Sequence, residues 1–309
     1  MWYEIFKFEL KYRIKRPETY IFFCFLLLFS IVGVDFIFQG VELGLMKKNA
    51  PLVIAKAMGA LTGIFMILAS MIMGVPVLRD FQYDMEALLF INPITKRDYL
   101  LGRFLGSFTI LLFVFSGLVL GMMVGSQMPW HKEEQMLAFN IMHYIQPFMV
   151  IALPTLFFGA CLFFVSGMLS KKLLVVYTQG IFLFVIFMLT KAITNEYLQG
   201  VFDPFSLTTL TQVSKDWTPL ERNAINISLE GIMLHSKLFW TGLGVLILIF
   251  GYRKFSFSVL AKKPKKQLKS ISTEKENSKT DVAIPTITVQ SGLKSQWVQL
   301  CELIKFYTL

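Results

Sequence analysis

The sequence predicts an all-α membrane protein, with an amphipathic N-terminal interfacial helix, six transmembrane helices and both termini in the cytoplasm. Hydrophobic residues make up 55% of the 309 residues, and the mean hydropathy is +0.61. A soluble domain of this size does not carry so much apolar residue. Six apolar segments approach or exceed the roughly 20 residues that a helix needs to cross a bilayer. Lysine and arginine cluster at the ends of these segments.

Residues 1–18 predict a helix that lies in the membrane interface. Polar residues at helical spacing form a stripe along one face of this helix, and Trp2 and other apolar residues face mostly away from the stripe. The stripe consists of Glu4, Lys7, Lys11 and Lys15. Two alternatives stay open. The alternation from Phe8 to Lys15 also suits a strand, and a solvated basic flank that only sets topology has the same composition.

The six predicted spans lie within residues 19–254. They cover about 20–39, 52–77, 99–124, 144–169, 173–190 and 238–252. Six crossings put both termini on one side, and the connections on that side hold most of the lysine and arginine. Because basic connections favour the cytoplasm, both termini are predicted to be cytoplasmic. Asp35, near the end of the first span, is either an interface residue or an intramembrane acid with a role in transport.

The connection between the second and third spans, residues 79–98, is dense in charge, and we call it the elbow. Asn92-Pro93 interrupts its short apolar stretch, because the residue before a proline is pushed out of the helical region. A short helix across the membrane face, tied to a span at each end, can pass a push from a soluble partner into the bilayer. Its candidate partner-coupling residues are Arg79, Asp80, Asp84, Glu86, Lys96, Arg97 and Asp98. The alternative is a solvated cluster that only sets topology.

Small residues recur at four-residue spacing in the second and third spans. The candidate helix-packing positions are Gly59, Gly63, Gly102, Gly106, Gly117 and Gly121. Such spacing lets helix backbones approach closely in lipid. Packing within the subunit is the favoured interpretation, and a dimer seam is the alternative. Pro147 and Pro154 predict a kink in the fourth span.

The two remaining regions are polar. The loop 191–237 is predicted to lie outside, where Asp216 or Thr218 could cap a short helix with Pro219 early in it. Residues 255–296 predict a disordered cytoplasmic linker. Residues 297–309 become amphipathic again and predict the start of a second interfacial helix, so that the chain looks truncated.

Composition and motifs argue against several functional classes. The net charge of +10 is better explained by anionic lipid headgroups than by nucleic acid, because the basic residues flank apolar segments. The three cysteines, Cys24, Cys161 and Cys301, form no metal-ligand or disulfide pattern. The sequence has no GxxxxGK[ST] phosphate loop, HExxH motif or nucleophile elbow. We therefore expect no metal, no cofactor and no enzymatic activity in this chain.

The order of parts resembles the permease subunits of type 2 ABC exporters. The elbow motif RDF…NPITKRDYLLGRFLG resembles the family's coupling region, where the ATP-binding subunit docks. Asp203-Pro204-Phe205 and Trp217-Thr218-Pro219 resemble a bacterial subgroup in which the permease is fused to a second membrane half and a zinc aminopeptidase-like domain. Ser206 stands where that subgroup has glycine, and His235-Ser236-Lys237 where it has Asn-Arg. The peptidase part has no counterpart here.

This resemblance implies the permease of an exporter in the bacterial cytoplasmic (inner) membrane. Its partners would be a cytoplasmic ATP-binding subunit, a second permease copy or membrane half, and the lipid bilayer. A non-transporting scaffold or anchor for a hydrolase domain absent from this chain is the alternative. A secondary carrier or channel is a weaker one, because the spans are expected to bury almost no charge beyond Asp35.

Overall fold

The structure is a computed structural model that describes residues 1–39, 46–82 and 94–255, where the helices are joined by turns and loops and there is no strand. The helices are α1 (Trp2–Ile14), α2 (Pro17–Gln39), α3 (Pro51–Ile64), α4 (Met66–Gln82), α5 (Lys96–Gly125), α6 (Met142–Ser170), α7 (Leu173–Thr190), α8 (Glu196–Val201), α9 (Leu207–Val213), α10 (Pro219–Ala224) and α11 (Gly231–Lys254). Asp84, Glu86, the side chain of Asp35, nearly all of the predicted linker and the predicted helix at 297–309 lie outside the described part.

Each predicted span coincides with helix, and the number of spans depends on how two bent pairs are counted. By length and composition α5, α6, α7 and α11 can each cross a membrane. α1 and α2 form a pair bent by 69°, and α3 and α4 form a pair bent by 49°. If each pair counts as one span, there are six among the described residues. The predicted helix at the N-terminus is present, and its position in a membrane interface remains a prediction.

Local sequence sets the ends of these helices. Thr95 caps α5, since its hydroxyl accepts the Asp98 N–H at 3.1 Å. Thr218 rather than Asp216 caps α10, in a reciprocal capping box with Glu221. In α6 a π-helical turn, Phe148–Ala152, lies between Pro147 and Pro154, where the kink is predicted, and the helix continues through it.

α5 packs against α1, α2 and α4, and four of its glycines let α1 and α2 approach closely. A Cβ at Gly102 would lie 2.8 Å from the Trp2 carbonyl of α1, and one at Gly106 would lie 2.8 Å from the Glu9 Cβ. Cβ atoms at Gly117 and Gly121 would lie 2.8 and 2.4 Å from carbonyl oxygens of α2. The four-residue spacing therefore serves contacts within this chain, with one glycine pair facing α1 and the other facing α2.

The outer helices expose wide apolar faces. Only 28% of the apolar stretch of α7 is buried, and the same is true of α11. Leu174, Ile181, Phe182 and Leu189 of α7 are all more than half exposed. Contiguous apolar surface on this scale marks a face that meets lipid or another protein. It supports a membrane-embedded fold.

Candidate functional site

A group of largely buried polar side chains, five of them charged, joins α1, α4 and α5 at the two ends of the elbow. We call it the elbow-side network. It consists of Glu9, Arg13, Arg79, Asp80, Tyr99 and Arg103.

Glu9 is the centre of this network because α1 turns it away from the polar stripe. Glu4, Lys7, Lys11 and Lys15 are all exposed, whereas Glu9 is completely buried. Its burial depends on Gly106, because any larger residue would meet its Cβ. An acidic side chain thus lies in the contact between α1 and α5, where a charge is costly unless it is paired.

Three arginines surround the Glu9 carboxylate. Arg13 Nε lies 2.8 Å from Oε1, Arg79 Nη2 lies 3.3 Å from Oε2, and Arg103 Nη1 also contacts Oε2. Arg13 in addition donates to the Ile72 carbonyl of α4 at 2.8 Å. One carboxylate therefore links α1 to both helices that flank the elbow.

Asp80 completes the network on α4. Arg103 Nη2 lies 2.7 Å from Asp80 Oδ2, and the Tyr99 hydroxyl donates to the same oxygen at 2.7 Å. Arg103 thus bonds to Glu9 with one nitrogen and to Asp80 with the other. This fork-shaped bridging uses the fixed geometry of a guanidinium group, which a lysine could not reproduce.

The surrounding charges keep Glu9 ionised. Burial by itself raises the pKa of the Glu9 carboxyl. The positive charges of Arg103, Arg13 and Arg79 lower this pKa by more than burial raises it, so that it lies below the ordinary value. A buried carboxylate that loses its partners is strongly destabilising. The network therefore holds α1, α4 and α5 in one arrangement at neutral pH.

The other elbow residues lie at the start of α5. Asp98 accepts from the Thr95 hydroxyl at 2.7 Å and from the Trp2 N–H at 3.2 Å, which ties it to α1. The Lys96 ammonium lies 4.7 Å from the centre of the Tyr252 ring. Arg97 is exposed. Arg97 is thus the most exposed of the predicted partner-coupling residues in the described part, whereas Asp80 is buried.

Sequence reasoning missed the roles of Glu9, Arg13, Tyr99 and Arg103. The available signal was the i, i+4 spacing of Glu9 and Arg13 on the side of α1 that also carries Ile5. A charged pair on the apolar face of an amphipathic helix indicates an internal partner rather than a lipid surface.

A second buried polar group lies among α6, α11 and the loop that follows α8, and we call it the loop-side cluster. It consists of Thr155, Asp203 and Lys237. The Lys237 ammonium donates to the Thr155 hydroxyl at 3.1 Å and to the Ile151 carbonyl at 3.4 Å. The Asp203 carboxylate accepts the N–H groups of Phe205 at 2.9 Å and Thr208 at 2.5 Å.

The loop-side cluster fixes the Asp203-Pro204-Phe205 turn against α3. Ser206 has φ +62°, a conformation that favours glycine, so the serine at this position is strained. The buried Phe205 ring lies over Gly63, and a Cβ at Gly59 would lie 2.6 Å from the Phe205 carbonyl. These two glycines therefore serve a contact with the loop rather than a helix crossing.

The expectation that the spans bury almost no charge beyond Asp35 is wrong for Arg103, which lies within the predicted third span and is 4% exposed. Asp80 and Lys237 lie just outside the predicted second and sixth spans, and both are buried within the long helices α4 and α11. They are tolerated because they sit near helix ends and bond internally.

Within residues 1–39, 46–82 and 94–255, no three His, Cys, Asp or Glu side chains are grouped to hold a metal ion. Comparison with protein-family models found no match, and comparison with curated proteins found none either.

Proposed function

We propose that this chain is the transmembrane permease subunit of an ATP-binding-cassette exporter, with the elbow and both termini in the cytoplasm of a bacterial cell. The observation that carries the proposal is the elbow-side network. It joins the helix that enters the elbow, the helix that leaves it and the N-terminal helix through a single carboxylate. ATP would be bound and hydrolysed by a separate cytoplasmic subunit.

The network gives a physical route for coupling. Closure of the ATP-binding subunit would press on the elbow, where Arg97 offers an exposed charge. Because Asp80 and Arg103 are paired across α4 and α5, the two helices would tilt together instead of sliding apart. Glu9 would carry the same motion to α1. The path through the membrane would then switch sides by a shift between two populated states.

Such an exporter needs a second membrane unit, either another copy of this chain or a second half. The wide apolar faces of α7 and α11 are compatible with contact to lipid and with contact to that unit. The substrate is not specified by either polar cluster, because the bonds in both join residues of this chain to one another.

Co-purification tests this proposal. The tagged chain is extracted in mild detergent from its native host, and the proteins that accompany it are identified. We expect a stoichiometric soluble protein with a phosphate-binding loop, lost in Arg97→Glu and retained in the control Lys172→Glu, which reverses an exposed charge at another connection on the same predicted side.

Recovery of the chain without an ATPase would contradict the exporter assignment and favour a scaffold. Equal retention of the ATPase by both variants would contradict docking at Arg97.

A further inference from the structure

A cavity of about 200 Å³ lies beside the elbow-side network, at the bend between α1 and α2. Its polar end is formed by Tyr12, Arg13, Arg16 and Arg79, and Glu18 lies at the same end. Its apolar end is formed by side chains of α2, α4 and α5, among them Val75 and Ile110. We call the basic part of the lining the mouth and the apolar part the floor.

The basic mouth has more positive than negative charge. The elbow-side network contains three guanidinium groups but two carboxylates. Arg13 and Arg79 of that network line the cavity, Arg16 adds a further positive charge, and Glu18 offsets one of them. Arg13 and Arg79 share the Glu9 carboxylate and Arg16 is exposed, so the excess of guanidinium groups over carboxylates favours an anion at the mouth.

Tyr12 holds two of these cations together. The guanidinium carbons of Arg79 and Arg16 lie 4.1 and 4.7 Å from the centre of the same Tyr12 ring. The Glu9 carboxylate lies beside Arg79, and an anion next to Arg16 would further offset the repulsion between these two like charges. The forked N–H donors of a guanidinium group match the oxygens of a phosphate.

The apolar floor points to the source of that phosphate. Met71 also lines the cavity, eight positions before Arg79 in α4. This spacing corresponds to a rise of about 12 Å along the helix. That length approaches half of a hydrocarbon core of roughly 30 Å. The cavity is smaller than the ~300–1,000 Å³ of sites that enclose a whole small molecule. It therefore suits a headgroup whose chains leave along the helices.

We infer that this cavity binds the phosphate of an anionic phospholipid in the leaflet on the elbow side. The phosphate would lie against Arg16 and Arg79, and an acyl chain would follow α4 past Val75. The lipid would supply the negative charge that the elbow-side network lacks, and it would pin the bend between α1 and α2. This inference does not depend on the exporter assignment.

Native mass spectrometry of the full chain, released from vesicles of equal phosphatidylglycerol and phosphatidylcholine, tests the inference. We expect retained phosphatidylglycerol to exceed phosphatidylcholine. Arg16→Gln should lower this preference about fivefold, the effect of one basic residue beside an anionic lipid surface. The control Lys15→Gln removes a neighbouring exposed charge that does not line the cavity, and it should change little.

A second pair of variants tests the floor without changing charge. Val75→Phe should displace the lipid, whereas Val185→Phe, on the exposed face of α7, should not. The charge variants and the valine variants test the inference separately. If a variant of one pair does not fold, the other pair still decides it.

Three results would overturn the inference. They are equal retention of the two lipids, equal losses in Arg16→Gln and Lys15→Gln, and displacement of phosphatidylglycerol by inorganic phosphate. The last would identify a site for a free anion.

Discussion

The elbow-side network and the loop-side cluster bury charge in two different ways. In the network, carboxylates on α1 and α4 are bonded to arginines on α1, α4 and α5, so that side chains join three helices. In the cluster, Asp203 is held by two backbone N–H groups of its own turn, and Lys237 by a hydroxyl and a carbonyl. The first arrangement joins three helices through charged side chains, and the second holds one turn and pairs α11 with α6 through uncharged acceptors.

The difference teaches which buried charge can transmit motion. A carboxylate bonded to its own turn does not respond to the tilt of a distant helix. A carboxylate shared by arginines from three helices changes its energy whenever one of those helices shifts. This is why we place coupling at the elbow and a structural role at the loop.

The largest expected effect is that of Glu9→Gln. Removing this charge leaves Arg13 and Arg79 without their carboxylate partner, which should cost about 3–5 kcal/mol of unfolding free energy. Unfolding in mixed micelles, followed by tryptophan fluorescence, measures it. The exposed Glu4→Gln on the same helix is the control and should change stability by under about 0.5 kcal/mol. Similar losses in both variants would contradict the network.

Lys237→Met should have a smaller effect. Methionine has a similar shape, and the Asp203 carboxylate keeps its two backbone donors. The Thr155 hydroxyl and the Ile151 carbonyl lose one partner, so we expect a loss of about 1–3 kcal/mol. The same unfolding experiment measures it, with the exposed Lys132→Met as control. A loss as large as that of Glu9→Gln would erase the distinction between the two regions.

Thr95→Ala tests the start of α5 and should cost about 1 kcal/mol, the usual value of a lost helix cap. It also removes the hydroxyl that donates to Asp98. Thr109→Ala, in which the hydroxyl only bonds back to its own helix, is the control. A shift in thermal midpoint for the first variant alone would agree with this account, and equal shifts would contradict it.

The smallest effect is a pair of opposite pH dependences. The folded pKa of Glu9 lies below its ordinary value of 4.5, so its contribution is present above about pH 4.5 and is lost as the pH falls. Burial raises the pKa of Asp203 above 3.8, and backbone N–H groups and Lys237 offset this only in part. Its contribution is therefore present at low pH and is lost as the pH rises through the folded pKa.

Stability of the wild type relative to Glu9→Gln should therefore fall with decreasing pH, and relative to Asp203→Asn it should fall with increasing pH. Unfolding titrations of the three proteins across the acidic range measure both trends. Trends of the same sign would contradict the assignment of the two environments.

The sequence predicted the helical class and the position of each apolar segment, because hydrophobic length and flanking charge are local properties. It also identified the four glycines of α5, since four-residue spacing is visible in one helix. It did not find Glu9 as a partner of Arg103, because the two are 94 residues apart and meet only when α1 packs on α5.

For the same reason the sequence does not distinguish Asp80 from the exposed charged residues of the elbow. Charge density alone does not distinguish a solvated carboxylate from one that faces inward. Phe205 likewise stands out in the sequence only as part of a motif, although its ring and carbonyl explain why Gly59 and Gly63 lack side chains.

A pair of double-mutant cycles tests most directly whether the elbow-side network acts as one unit across helices. The first combines Asp80→Asn with Arg103→Gln, and the second combines Asp203→Asn with Lys237→Met. We predict a coupling of about 1–3 kcal/mol for the elbow-side pair and below about 0.5 kcal/mol for the loop-side pair. Equal couplings, or a larger coupling on the loop side, would contradict the account.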